Sequence, residues 1–372
     1  MTIGASLYIL YQVNTYIVIL LILIGCVILL SLLYLYQSRI LYQSNAFPQY
    51  KTPDLNPIGY RLPSERNLPY ETVWLTTPDN IVLHSWFIRS DNLNTRQSGN
   101  TILFLHANAG NLGFRMDNLV LMYNTLQCNI LILSYRGYGF SDGTPDENGL
   151  CIDAMTAYQW LQQNTTIDRR RIFVFGRSLG GAVAIALCNQ LCSTTITDRH
   201  TIDNNESMRN IHSGTGLCGM IIENTFTNIS DMAQCMFPFL RFNKLIISYL
   251  LTLKWYSIDT IQSIPCPILF ISSTNDEIVP EYQMRQLYDH AYQSIHKQYH
   301  SVINGQHNNA FQVGGIDYTN KFIQYMNHCI NILEPGINTK QTHNDAKHIN
   351  RTAISTGETD WLDVTDDIVG SD

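Results

Sequence analysis

The sequence predicts an α/β fold, a mostly parallel central sheet flanked by helices, and three observations carry that reading. Five short apolar runs, at 102–105, 130–133, 172–175, 220–222 and 268–271, are continuous rather than alternating, as strands buried on both faces must be. Segments of helical length separate them, so the strands connect through right-handed crossovers and lie parallel. The third run leads into Gly176-Arg177-Ser178-Leu179-Gly180-Gly181, which opens into the helix-forming Ala182-Val183-Ala184-Ile185-Ala186-Leu187. A tight strand-to-helix turn of that composition lifts a serine hydroxyl to the carboxyl edge of a sheet, where such folds place their sites.

Ahead of the sheet, residues 16–36 carry no charge and are dominated by Ile and Leu. At about 1.5 Å per residue they cross a hydrocarbon core of about 30 Å. Tyr8, Tyr11 and Tyr16 on one side and Tyr34, Tyr36 and Tyr42 on the other resemble interfacial belts. A cleaved signal peptide fits poorly: the run is too long, no basic region precedes it, and no A-x-A site follows. We therefore expect residues 1–36 to be an anchor in the bilayer and the protein to be single-pass. Arg39 and Lys51 follow the span with no Lys or Arg before it, which favours a cytosolic domain. Sequons at Asn164, Asn205, Asn228 and Asn350 would suit a lumenal one, so the side stays open.

Residues 37–69, with Pro48, Pro53, Pro57, Pro63 and Pro69, read as an extended stalk. The main domain is expected over 70–334. It starts with apolar stretches around 73–75 and 81–87 flanking Thr77-Pro78-Asp79-Asn80, a hairpin signal. Two segments interrupt its rhythm. Residues 193–216 are polar and read as a surface insertion. Residues 227–262, rich in large apolar side chains such as Met232, Phe237, Leu240 and Trp255, read either as a cap receiving an acyl chain or as ordinary helices. A polar tail, 335–372, ends in Asp360, Asp363, Asp366, Asp367 and Asp372 and is expected to be disordered.

Composition narrows the function classes. The net charge is −7 and no basic block occurs, which argues against a nucleic-acid surface. The nine cysteines form no C-x-x-C pair and no metal-ligand spacing with histidine. Their odd number shows no disulfide framework and leans toward a reducing compartment. Neither a metal nor an organic cofactor is expected.

A serine at its ordinary pKa is a poor nucleophile and needs a base, which itself needs an orienting acid. On this fold the three follow in the order serine, acid, histidine. Asp276 follows the run at 267–273 in Ser273-Thr274-Asn275-Asp276-Glu277, at the edge where the acid is wanted; its rival reading is a helix cap. Glu223, closing the preceding strand, competes with it, and Glu277 does so more weakly. The base is expected to be His307, on a loop after Gly305 and before the last helix. The oxyanion of an acyl-transfer intermediate needs prepositioned N–H donors. We assign these to the amides of Leu179, just after the nucleophile, and Asn108, in His106-Ala107-Asn108-Ala109-Gly110-Asn111.

These motifs, with Tyr135-Arg136-Gly137-Tyr138-Gly139, Glu223-Asn224-Thr225-Phe226 and Gly305-Gln306-His307-Asn308-Asn309, occur in the order found in a known family. The chain resembles the α/β-hydrolase domain-containing protein 13 family of membrane-anchored serine esterases over about residues 30–333. The resemblance implies the α/β-hydrolase fold with a small helical cap and a triad of Ser178, Asp276 and His307. Two positions depart from its pattern. Ala107 replaces a glycine, which would strain the loop if that position needs positive φ. Asn309 replaces an aspartate, which could loosen the loop holding His307. The Tyr-Arg-Gly-Tyr-Gly turn reads as structural, with Arg136 a lesser candidate for ligand contact.

The expected activity is hydrolysis of an ester or thioester, lipid-like or carried on an acylated protein, through an acyl-enzyme. The alternative is a membrane scaffold of the same fold with weak or lost turnover, hinted at only by Ala107. Substrate and oligomeric state are not specified by the sequence.

Overall fold

The computed structural model describes residues 2–91, 97, 99–198, 216–236 and 251–333. Most of the polar insertion (199–215), the middle of the candidate cap (237–250) and the tail from 334 lie outside the described residues.

An 8-stranded sheet runs in the order β1-β2-β4-β3-β5-β6-β7-β8. The strands are β1 (Tyr70–Thr76), β2 (Val82–Ile88), β3 (Thr101–Leu105), β4 (Asn129–Leu133), β5 (Ile172–Arg177), β6 (Gly219–Glu223), β7 (Ile268–Ser273) and β8 (Lys297–Val302). β2 is antiparallel to both neighbours, β1 and β4. From β4 to β8 every pairing is parallel. The five continuous apolar runs are β3 to β7, and the hairpin around Pro78 joins β1 to β2.

The continuity of those runs has a direct cause. Successive side chains along a strand point to opposite faces, and here both faces are covered. Leu103, Leu105, Leu131, Leu133 and Val174 pack on one face against helices Glu147–Gln163, Leu179–Asp198 and Glu281–His290. Ile102, Phe104, Ile130, Ile132, Phe173 and Phe175 face the other way, onto helices Met116–Leu126 and Ala310–Leu333. Each such side chain contributes about 1.5–3 kcal/mol when fully buried. The layer is thus fixed, and the carboxyl ends of β3, β5, β6, β7 and β8 come out side by side.

A helix of 40 residues, Thr2–Leu41, precedes the domain. Within it Tyr11–Leu32 is long and apolar enough to cross a membrane by length and composition. The helix and the domain belong to one compact unit. The expected extended stalk is not extended. Proline opens each of three 3-10 turns, Pro48–Tyr50, Pro53–Leu55 and Pro63–Arg66, where its fixed φ suits a helical start and its missing N–H costs nothing. The segment folds back on the domain: Asn56 and Asn111 exchange amide hydrogen bonds of 2.8 and 2.9 Å. The Tyr60 hydroxyl donates to Asp117 at 2.8 Å. Polar groups able to reach the domain's own loops make packing better than solvation here.

Candidate active site

β5 ends at Arg177, and Ser178 follows with φ 52 before the helix Leu179–Asp198 begins. Positive φ is uncommon for a residue other than glycine, so the surroundings must impose it. They do so through backbone contacts. The Ser178 N–H donates to Glu223 O at 2.9 Å. Its carbonyl accepts from the Gly181 N–H at 2.9 Å and from Thr225 Oγ1 at 2.7 Å. The flanking glycines are sterically required. A Cβ on Gly176 would lie 2.2 Å from Gly180 O, one on Gly180 2.0 Å from Leu105 O, and one on Gly181 2.5 Å from Thr225 Cβ. Leu179 opens the helix, so its N–H belongs to the first turn, where donors lack intrahelical acceptors.

Asp276 and His307 meet beyond β7 and β8. Asp276 Oδ2 accepts from His307 Nδ1 at 2.8 Å. Its other oxygen accepts from the Ile278 and Val279 amides at 2.9 and 2.7 Å. The cap-like role and the partnership with histidine therefore coexist, one on each oxygen. Glu277 Oε2 accepts from the His307 backbone N–H at 3.1 Å and holds the loop rather than the ring. Ser178 Oγ makes no hydrogen bond among the described residues.

Glu223, the competing acid, is committed elsewhere. It is fully buried, pairs with the Arg177 guanidinium, and accepts from the Tyr318 hydroxyl at 2.5 Å. Both of its oxygens are thus engaged, and neither bonds to the histidine among the described residues. Asn309 does not leave its loop slack. Its Oδ1 accepts from the Gln306 N–H at 2.7 Å, as an aspartate could, and its Nδ2 adds a bond to Gln306 Oε1 at 3.0 Å.

The loop after β3 is built around His106. Its Nδ1 donates to Ala107 O at 2.7 Å, since a carbonyl can only accept. Burial, reinforced by nearby Arg115, lowers its pKa to about 3, so the ring stays neutral. Tyr135 donates to His106 O at 3.1 Å and Tyr138 to Asn108 Oδ1 at 3.2 Å. The Tyr-Arg-Gly-Tyr-Gly turn thus braces this loop. Arg136 itself is turned away into ion pairs with Asp79 and Asp153, both at 2.8 Å, and is buried. Ala107 is not at positive φ; Gly110 is, at 74, and a Cβ there would meet the Phe114 ring at 2.7 Å. The glycine the turn demands is in place, and alanine at 107 causes no strain.

Sequence reasoning named Asn224 and Thr225 only as part of a family motif and assigned a task to neither, weighing their neighbour Glu223 alone as a candidate acid. Asn224 Nδ2 donates to Ser273 Oγ and to His307 O, both at 3.1 Å, and its Oδ1 accepts from the Ser273 N–H at 2.8 Å. Thr225 Oγ1 holds the Ser178 carbonyl. A polar Asn-Thr pair directly after an apolar strand was the available signal.

The comparisons agree with this architecture. A family profile for the α/β-hydrolase fold matches residues 100–199. The chain is 38% identical over 234 residues to the α/β-hydrolase domain-containing protein WAV2 of Arabidopsis thaliana, covering 61% of this chain and 68% of that one. It is 37% identical over 284 residues to bem46 of Schizosaccharomyces pombe, covering 76% and 84%. Lysophosphatidylserine lipase ABHD12 of Danio rerio is 31% identical over 252 residues, covering 62% of this chain and 58% of that one. A Pyrococcus furiosus esterase superposes with a TM-score of 0.53 at 17% identity over 72% of this chain and 94% of its own, a likeness of fold. Strand order, elbow and relatives together place the chain in the family of α/β-hydrolase domain-containing proteins.

Proposed function

We propose that this protein is a membrane-anchored serine hydrolase that cleaves an ester or thioester through Ser178, His307 and Asp276. The observation that carries the reading is the Asp276–His307 hydrogen bond of 2.8 Å, beside a serine held at φ 52 on the elbow. Asp276 fixes the tautomer with the proton on Nδ1, leaving the Nε2 lone pair as the base. Nε2 removes the Ser178 hydroxyl proton as Oγ attacks the acyl carbonyl, a contact that closes when substrate is bound. The tetrahedral oxyanion is received by the Leu179 and Asn108 amides. His307 then returns the proton to the leaving oxygen or sulfur. A water attacking the acyl-enzyme by the same route releases the acid and restores Ser178.

A lipid-like acyl substrate is supported by where the apolar helix ends. The Gln43 N–H donates to Asn108 Oδ1 at 2.9 Å, and Gly110 N–H donates to Gln43 O at 3.3 Å. Gln37 Oε1 accepts from the Thr252 amide at 2.7 Å, and Tyr42 accepts from Trp255 Nε1 at 3.0 Å. If Tyr11–Leu32 spans the bilayer once, the loop bearing Asn108 stands at its surface, within reach of lipids and acylated proteins. The lysophosphatidylserine lipase among the relatives is in keeping with this class.

The test is fluorophosphonate labelling of the detergent-extracted full chain, with Ser178→Ala beside it. Labelling of the wild type that vanishes in Ser178→Ala is the expected result. A folded wild type that does not label would sink the hydrolase reading and favour a scaffold.

A further inference from the structure

An oxyanion hole needs amides that point into the cleft before substrate arrives, and something must hold those peptide planes. Arg115, at the end of the turn Leu112–Arg115, lies behind the loop after β3. Its Nη2 donates to Ala107 O at 3.4 Å and to Ala109 O. Among the described residues these are its only side-chain hydrogen bonds, and no carboxylate pairs with it. Enclosure, together with the neighbouring Arg177, lowers its pKa to about 10, so the cation is retained at neutral pH.

The geometry follows from a trans peptide, and the described chain contains no cis bond. In a trans unit the C=O and the N–H point in opposite directions. The Ala107 carbonyl is drawn toward His106 Nδ1 and Arg115, so the N–H of Asn108, in the same plane, points away from them. That N–H has no acceptor among the described residues. The Ala109–Gly110 unit behaves alike: its carbonyl goes to Arg115, and its N–H goes the other way, to Gln43 O at 3.3 Å. One guanidinium nitrogen, Nη2, thus holds the carbonyls of two peptide planes two residues apart.

We infer that Arg115 is a positioning residue for the oxyanion hole, aiming the Asn108 amide by holding the carbonyls of Ala107 and Ala109. This rests on the hydrolase reading above. A half-buried cation bonded to loop carbonyls and to no carboxylate would be an odd choice for stability alone, since a hydrophobic side chain often does as well.

The experiment uses the full chain in detergent, with p-nitrophenyl esters as substrate and sites counted by fluorophosphonate titration. Arg115→Met should lower kcat per titrated site about 10–100-fold with KM within about twofold, because only the oxyanion is served less well. A trifluoromethyl ketone, which binds as an oxyanionic adduct, should lose affinity in the same proportion. Arg115→Lys should recover much of the loss. Arg115→Gln, which keeps one donor pair, replaces the methionine variant if that yields no titratable sites, and should fall at the lower end of the range. A merely structural arginine would reduce the number of sites while leaving kcat per site and ketone affinity unchanged, and that result overturns the inference. A wild type that does not label at all would instead overturn the hydrolase reading.

Discussion

The elbow bearing Ser178 and the loop bearing His307 reach the same edge of the sheet by opposite means. The elbow is held by backbone shape: three glycines whose Cβ atoms would lie within 2.5 Å of neighbouring atoms, and backbone bonds to Glu223 O and Gly181 N. The histidine loop is held by side chains reaching across from other elements: Asp276 to the ring, Glu277 to its amide, Asn224 to its carbonyl. A site built on shape fails as a unit when one atom is added. A site built on hydrogen bonds degrades one bond at a time.

Breaking the elbow should therefore have the largest effect. Gly180→Ala places a methyl 2.0 Å from Leu105 O, a backbone atom of the central strand β3 that cannot turn aside. Overpacking of this kind costs about 3 kcal/mol, and for a domain of this size that is a fall in Tm of roughly 6–12 °C. Both stability and labelling should be lost together; a variant that labels at the wild-type rate would show that the elbow is looser than its contacts imply. Asp276→Asn should separate the two instead. The Ile278 and Val279 amides demand an acceptor, so the introduced carboxamide must keep its oxygen toward them and turn its NH2 toward His307. Nδ1 then becomes the acceptor, the proton moves to Nε2, and the base is lost. Turnover should drop by about 10⁴-fold with Tm within a few degrees. Ester hydrolysis with thermal melts decides it, and a drop below tenfold would remove Asp276 from the proposed triad.

The same contrast explains what the sequence made legible. The fold was readable because the apolar runs of β3 to β7 and the Gly-x-Ser-x-Gly turn express constraints local in the chain, where each residue's neighbours lie within a few positions. The hairpin at Pro78 is of this kind. Asp276 and His307 could be placed by chain order and by the ends of strands and were expected to pair, though 31 positions separate them and the contact itself is a property of the folded chain. Glu223 was open for the same reason: its end-of-strand position matched the acid, and only its pairing with Arg177 and Tyr318 tells the two apart. The stalk was misread because five prolines signal extension when their turns have no partner, and the partners, Asn111 and Asp117, lie far along the chain. Arg115 carried no signal, since its role consists of two carbonyls that any residue would supply.

The smallest effect expected of these variants falls on Asn224, the strut of the polar half. It spans three strand ends, binding Ser273 on β7 and the carbonyl of His307 after β8 from its place after β6. Its φ of 46 would strain alanine, so Asn224→Gly is the cleaner substitution: it keeps the backbone turn and removes only the amide. The buried Ser273 N–H would then lose its acceptor, costing about 1–3 kcal/mol. His307 would keep Asp276 and Glu277 but lose the tether on its carbonyl. Turnover per titrated site should fall about 10-fold, the scale of a modest misplacement of a catalytic group rather than its removal. Adding Asp276→Asn to Asn224→Gly should then cost much less than the sum of the two singles, since both act through the orientation of one imidazole. Strict additivity in that double-variant cycle would mean Asn224 braces the sheet edge alone, and the polar half would prove as indivisible from its scaffold as the elbow.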